Sequence, residues 1–485
     1  MQVRDGPDVL GLGKYFTDGT DFKGEAMVKK DQQVKCVLVD PPDQISDICR
    51  NPETSRATEM HEVYPPLGLA YIAGTLIENG IDVSLVEART RDLSHDDVIQ
   101  EIEKRGPQFV GITAITARIN SALFLARRVK EISPDIKVIL GGPHIHFEHE
   151  SVIDSDSVDF CVRGEGEITC LNLINCVTKG GDLASINGIT FKRGDDTVVN
   201  PDRPFVKDLD AFAFPARNLL HNPAYRGLWT EGQAFSPVLS TRGCPYRCAF
   251  CAAPRIWGRK HRRRSVENVL DELEQIYKEF GVRYIRFLDD LLIVNKKWTI
   301  DLCRGMSERG LDDLTWACDG RVGLVSEELL KEMKKANCIV IFYGIEFGNQ
   351  RILDLCRKGF SIEQVRETID ITSTVGISSY GYFMMGYPTE TIETVEDTIN
   401  LAKDLGLNYG LDSAGFSIVT PFPGTPLYDY CEMNDMLTTT DWSRYSYQLE
   451  KGVIKLDDIT FEELNNLYER AIDEFKFKEA LYQFA

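Results

Sequence analysis

A chain of 485 residues is too long for one ordinary hydrophobic core, and its length points to two to four domains. Hydrophobic residues make up 43% and charged residues 27%, with no apolar run near the roughly 18 residues that a membrane span needs, so no transmembrane segment is expected. A net charge of -20 argues against a general nucleic-acid binder, which carries a broad basic face.

Residues 1–33 read as an N-terminal extension with neither an apolar signal core nor an Arg-rich transit pattern, so the expected compartment is the cytoplasm. There the 13 cysteines stay reduced, and a tight group of them reads as metal-binding or catalytic. Over 34–179, "VKCVLVD", "DVSLVEA", "QFVGITA", "IKVILGG" and "VDFCVRGEGE" read as buried parallel strands, separated by helices such as "LGLAYIAGTLIENG" and "SALFLARRVKEI". The pattern predicts a doubly wound α/β domain whose ligand crevice lies at the carboxyl ends of the strands. The turn residues gather there: Asp40, Pro41 and Pro42; Thr113, Ala114 and Thr116; Gly141, Gly142, Pro143 and His144.

Residues 180–235 read as a β-hairpin turning at Gly194-Asp195-Asp196 and a Pro-punctuated linker. From 236 to 430 the βα alternation resumes. It begins with strand "PVLSTR" and a cysteine loop, followed by helix "SVENVLDELEQIYKEFG" with Ser265 as N-cap and Gly281 as its stop. Strands "RYIRFLDD", "LTWACDGR", "IVIFYGIEFG", "SYGYFMMGYP" and "SAGFSIVTPF" follow with helices between them. Units of this length close most naturally into a full or partial barrel with its chemistry at the carboxyl ends of the strands. Residues 431–485 read as a small helical region whose aromatics Trp442, Tyr445 and Tyr447 could cap the barrel or simply pack. The run "RKHRRR" at 259–264 could meet an anionic ligand. A solvated stretch with acidic partners elsewhere weighs slightly more.

"TRGCPYRCAFCAAP" sets Cys244, Cys248 and Cys251 in C-x3-C-x2-C spacing with no fourth thiol nearby. Structural zinc usually adds a second pair or histidines, and a disulfide suits the cytosol poorly. A cubane iron–sulfur cluster has four iron corners, and three thiolates leave one corner open to a small molecule. Of the other cysteines, Cys303, Cys318, Cys338, Cys356 and Cys431 are scattered and read as core, and the spacing of Cys161, Cys170 and Cys176 matches no cluster.

This segment resembles the signature of the radical S-adenosylmethionine (SAM) superfamily. The resemblance implies that the three cysteines ligate a [4Fe–4S] cluster, that SAM chelates the open iron, and that an electron releases a 5′-deoxyadenosyl radical. It extends along the barrel and implies SAM contacts at Phe250, Asp289, Asp290, Arg321, Glu346, Gly386 and Pro388, with an electron donor of the ferredoxin or flavodoxin type. The preceding domain resembles the cobalamin-binding domain of B12-dependent members. That likeness rests on "VDPPD", "PPLGLAYIAGTL", "VGITAIT", "GGPHIHFEH" and "VRGEGE", and adds Glu165 to the crevice residues above. One departure stands out: the D-x-H-x-x-G motif is absent, since Pro41 and Pro42 follow Asp40. His144 is placed on the right loop, but a lone loop histidine is more often a hydrogen-bonding residue than a ligand.

The expected function is an oxygen-sensitive, cobalamin-dependent C-methyltransferase acting on an unactivated carbon of a small molecule or protein side chain. "CAFCAAPRIWGRKHR" also resembles the anaerobic magnesium-protoporphyrin ester cyclase group, which makes ring oxidation without methyl transfer the first alternative. A non-catalytic cobalamin and iron–sulfur carrier or sensor is the second.

Overall fold

The computed structural model describes residues 33–43, 64–226, 230, 232–446 and 452–482. Tyr447 and nearly all of the expected N-terminal extension therefore lie outside the described residues. Among the described residues, no helix is long and apolar enough to cross a membrane.

The first sheet contains β1 (Lys35–Asp40), β2 (Asp82–Glu87), β3 (Phe109–Thr113), β4 (Lys137–Gly141), β5 (Phe160–Val162), β6 (Ile189–Arg193) and β7 (Asp196–Val199). Their order is β2-β1-β3-β4-β5-β6-β7, parallel through β5. The hairpin β6–β7 adds to β5 in antiparallel fashion. Alternate residues of β1 point to opposite faces. Cys36 and Leu38 pack under helices 67–78 and 166–179, while Val37 and Val39 pack under helices 95–105 and 119–132. Helices on both faces make this a doubly wound sheet, with its switch in strand order at β1 and β3.

The second sheet is an open arc in which β8 (Phe235–Val238), β11 (Tyr284–Phe287), β12 (Thr315–Gly320), β13 (Cys338–Glu346), β14 (Ser378–Met385) and β15 (Ser413–Ile418) pair in parallel. Between its first two strands the chain forms the short ribbon β9 (Thr241–Arg242) with β10 (Arg262–Arg263). This is a partial barrel. Its helices start and stop where the sequence says they should. Ser265 caps helix Val266–Glu279 by accepting from the Asn268 amide, and Ser361 with Gln364 forms a capping box for helix Ile362–Val375. Outward-facing Ile285, Phe287, Trp316, Ile341 and Phe383 pack beneath these helices. Inward-facing Phe235, Tyr284, Ala317, Val340 and Phe342 share a core with Leu69 and Ala73 of the first domain.

Three expectations need correction. The single strand read over "PVLSTR" is broken, because the buried Asp289 Oδ1 accepts from the Ser240 amide and hydroxyl, both at 2.9 Å, and from the Thr241 amide, turning the backbone away after β8. The turn read at 141–144 is the end of β4 followed at once by helix Pro143–Ile153, which mixed histidines and acids had concealed. The run 259–264 is neither a solvated stretch nor a ligand contact at its two buried arginines. Strand alternation in β10 turns Arg262 inward and Arg263 outward, and Arg264 turns inward again.

Those inward arginines belong to a buried lattice that ties the domains together. Glu165 Oε1 takes Arg242 at 3.1 Å and Arg262 at 2.7 Å, Glu167 pairs with Arg242, and Glu272 pairs with Arg264 and, at 2.6 Å, with Arg217. Arg242 also lies over the rings of Phe212, Trp257 and Tyr71, with centroids at 4.5, 5.2 and 5.5 Å. At the other end, helix Phe461–Tyr482 covers β15, where Phe475 meets Phe416 at 5.5 Å. The aromatics ahead of it pack on the first domain. Trp442 stands edge-on to His144 at 5.3 Å and close to Tyr445 and Tyr428, at 4.8 and 6.0 Å.

Candidate functional site

The cysteine loop leaves β9 through Gly243, whose φ of +94° suits glycine and whose added Cβ would lie 2.5 Å from the Lys260 carbonyl oxygen. Backbone bonds then fix its course. The Cys244 amide donates to Gly258, Cys251 to Cys248, and Ala249 to Cys356, while Leu427 donates back to Ala249. Cys244, Cys248 and Cys251 are all half-buried and unbridged. Burial is the larger cause and the neighbouring thiols add to it, pushing the pKa of Cys244 up and that of Cys251 up to about 12. Left alone, Cys244 and Cys251 hold their protons, and a cationic partner is what would release them.

The donor set fits an iron–sulfur cluster better than a single ion. Among the described residues, no three His, Cys, Asp or Glu side chains converge on one metal position. The separate corners of a cubane do not require such convergence. Facing the loop, Arg321 lies 3.6 Å from the Tyr246 ring centroid and its Nη1 reaches Cys248 Sγ at 3.8 Å. Asp290 takes the Gly243 amide through one contact. Burial lifts its carboxyl to about 6, and its Oδ2 is buried without a hydrogen-bond partner. An ammonium group, such as the amino end of SAM, would satisfy that oxygen.

The other expected SAM contacts divide. Phe250 is half-buried at the loop, with Lys358 Nζ 5.7 Å from its ring, and Glu346 holds Lys358 at 3.0 Å. Glu346 has a φ of +72° beside an irregularity in the β13–β14 pairing. Asp289 Oδ1 is taken up by residues 240 and 241, while its Oδ2, like that of Asp290, is buried without a hydrogen-bond partner. Gly386 and Pro388 form a buried turn after β14, in which Glu390 Oε2 accepts from the Gly386 and Tyr387 amides at 2.7 and 2.8 Å.

At the first domain's strand ends, Gly142 and Pro143 are exposed and Ile115 is 39% exposed, forming an open, weakly polar rim with half-exposed Thr113 and Gly141. Gly142 sits flush against the β3 end, where a Cβ would meet the Ala114 oxygen at 2.7 Å. This rim suits the flat face of a corrin. Beneath it Asp40 is ion-paired to Arg118 at 2.7 Å, and Arg118 and Ser121 also hold the carbonyls of buried Pro41 and Pro42. His144 is buried under Trp442 with Nδ1 3.3 Å from the Thr116 hydroxyl, and burial lowers its pKa to about 4. Glu165 is not on the rim: its oxygens accept from Arg242, Arg262 and the Val206 amide.

Lys358 and Tyr246 escaped the sequence reading, since "CRKGF" and "CPYRC" give no local sign of what each side chain meets across the fold. The two sets of loops lie side by side. Arg242, two residues before Cys244, is ion-paired to Glu165 and Glu167, which follow β5 of the first domain.

Comparison with known proteins agrees with this layout. The family model described as the radical SAM superfamily matches residues 238–402, and that of the B12 binding domain matches residues 55–174. An uncharacterized methyltransferase of Pyrococcus horikoshii is 35% identical over 412 residues, covering 85% of this chain and 87% of the relative. The anaerobic magnesium-protoporphyrin IX monomethyl ester cyclase of Rubrivivax gelatinosus is 34% identical over 401 residues, 81% of this chain and 70% of the cyclase. The fold is similar to that of the radical SAM methyltransferase TsrM from Kitasatospora setae, with TM-score 0.72, 17% identity and 91% of each chain covered.

Proposed function

Because the chain belongs to the radical SAM superfamily, in the group that carries a B12-binding domain, we propose that it is a cobalamin-dependent methyltransferase acting on an unactivated carbon. The observation that carries this reading is the adjacency of the three-thiol loop and the first domain's strand ends through Arg242, two residues before Cys244, which is ion-paired to Glu165 and Glu167. When bound, the cluster with SAM supplies radical chemistry and cobalamin supplies a transferable methyl group. Cys244, Cys248 and Cys251 would hold the cluster, Asp290 would take the SAM ammonium, and Arg321 would stand beside Cys248. The rim at Thr113, Ile115 and Gly141–Pro143 would carry the corrin, with buried Ala114 behind it. The protein's own work is then orientation and exclusion of water, with no acid–base pair required. Electrons would come from a low-potential carrier.

Ring oxidation without methyl transfer is the second reading, supported by the 34% identity to the ester cyclase. Anaerobically reconstituted protein supplied with SAM and titanium citrate separates the two. 5′-Deoxyadenosine together with S-adenosylhomocysteine indicates methyl transfer, whereas 5′-deoxyadenosine alone indicates the oxidative route. Cys248→Ala should lose most bound iron and both products; full iron content and undiminished SAM cleavage in that variant would end the cluster assignment.

A further inference from the structure

The inner face of the barrel sheet has one aromatic ring left uncovered. Tyr382 of β14 is 40% exposed, and its partners in register are Gly344 of β13 and Gly415 of β15. Neither flanking residue has a side chain of its own, so the ring stands in a trough that Tyr380 Oη and Glu346 Oε1 close at its two sides. Glycine within a strand weakens it and often marks close approach by another group. Here two glycines bracket a single exposed ring. The floor of the trough is aromatic: Phe342 lies 5.9 Å away at 20° to the Tyr382 ring, and Tyr380 lies 5.1 Å away. A Cβ at position 415 would fall 2.2 Å from Tyr380 Oη. At position 344 it would meet Glu346 Oε1 at 2.6 Å, so the trough runs up to the Glu346–Lys358 pair beside the cysteine loop.

One wall is polar. The Asp319 side chain, on β12, is 31% exposed and takes Arg286 Nη2 at 2.8 Å through Oδ1. Arg286 is itself buried and lies 4.2 Å from the Phe342 centroid, so its charge is committed. The Asp319 carboxylate thus presents accepting capacity to the trough and disfavours a second carboxylate. We propose that Tyr382, flanked by Gly344 and Gly415 and faced by Asp319, is the platform on which the substrate lies, and that the substrate is a flat π-system bearing an N–H donor. This rests on the radical SAM reading of the barrel. A stacked ring face uses the exposed tyrosine, and the donor satisfies the carboxylate. A saturated hydrocarbon would do neither.

The test uses reconstituted holoprotein with SAM and no reductant, and three probes measured by equilibrium dialysis: tryptamine, indole-3-propionate and hexylamine. Tryptamine is expected to bind at least tenfold more tightly than either of the others. Tyr382→Ala should weaken tryptamine at least tenfold while Tyr382→Phe retains it, and Asp319→Asn should erase the preference for tryptamine over indole-3-propionate. Iron content serves as the folding control for each variant. Equal binding of the three probes, or Tyr382→Ala binding tryptamine as the parent does, would overturn the platform. Failure of the parent to take up iron, or to cleave SAM once titanium citrate is added, would instead strike the cofactor reading.

Discussion

Glu390 holds the turn after β14 from inside the protein, and burial raises its carboxyl from 4.5 to about 7 despite the amides of Tyr387 and Gly386. The folded state therefore binds this proton more tightly than the unfolded chain. The resulting stability is complete below about pH 4.5 and is lost as pH rises through about 7. The shift corresponds to roughly 3 kcal/mol at most. Glu390→Gln keeps an accepting oxygen for both amides, and its denaturation midpoint should vary less between pH 5 and 7.5 than that of the parent. Lys358 shows the other side of burial. Burial alone would depress its ammonium, but Glu346 and Cys248 beside it leave it above the ordinary lysine value. A retained positive charge at this place favours the more negative redox state of whatever Cys248 binds. Lys358→Met should shift the midpoint potential of the reconstituted cluster downward in an anaerobic titration, and Lys358→Arg should restore part of the shift. The three cysteines were legible because eight consecutive residues, 244–251, contain the whole pattern. Lys358, Tyr246 and Tyr382 were not, since each acquires its meaning from a strand or loop distant in sequence.

The arginine lattice belongs to the scale of elements, because no single strand or helix contains both ends of any of its interdomain pairs. Arg242 is 6% exposed and holds two carboxylates from the start of helix Gly166–Lys179. Removing one partner from a buried ion pair typically costs about 3–5 kcal/mol, because an uncompensated charge remains. Arg242→Met leaves Glu167 without its arginine and should lower the chemical denaturation midpoint accordingly, whereas Arg263→Met, on the exposed side of β10, should leave it nearly unchanged. Strands could be read from the sequence wherever both faces are buried, as in "VKCVLVD" and "IVIFYGIEFG". Helix Pro143–Ile153 could not, since its histidines and acids show no apolar stripe. Charge alone says nothing about burial, and the run at 259–264 became interpretable only through its alternation in β10 and the carboxylates brought to it by another domain.

For the whole molecule, the two α/β halves and the open barrel follow from the order of apolar runs, but their docking does not. Contacts such as Leu69 with the barrel sheet's inner face join segments well over a hundred residues apart. The same holds for the tail. Trp442 binds the chain after helix Pro426–Met433 to the first domain through His144, so Trp442→Ala should speed proteolytic cleavage between residues 434 and 446 while leaving the barrel intact; an unchanged cleavage rate would show that the ring carries little of that attachment. Buried guanidinium–carboxylate joints do not slide, because any relative shift strands charges in a dry interior. The gap between the rim and the thiol loop is therefore that of a calliper locked at one setting. That setting is held by Arg242, Arg262 and their carboxylates, which are not part of the rim.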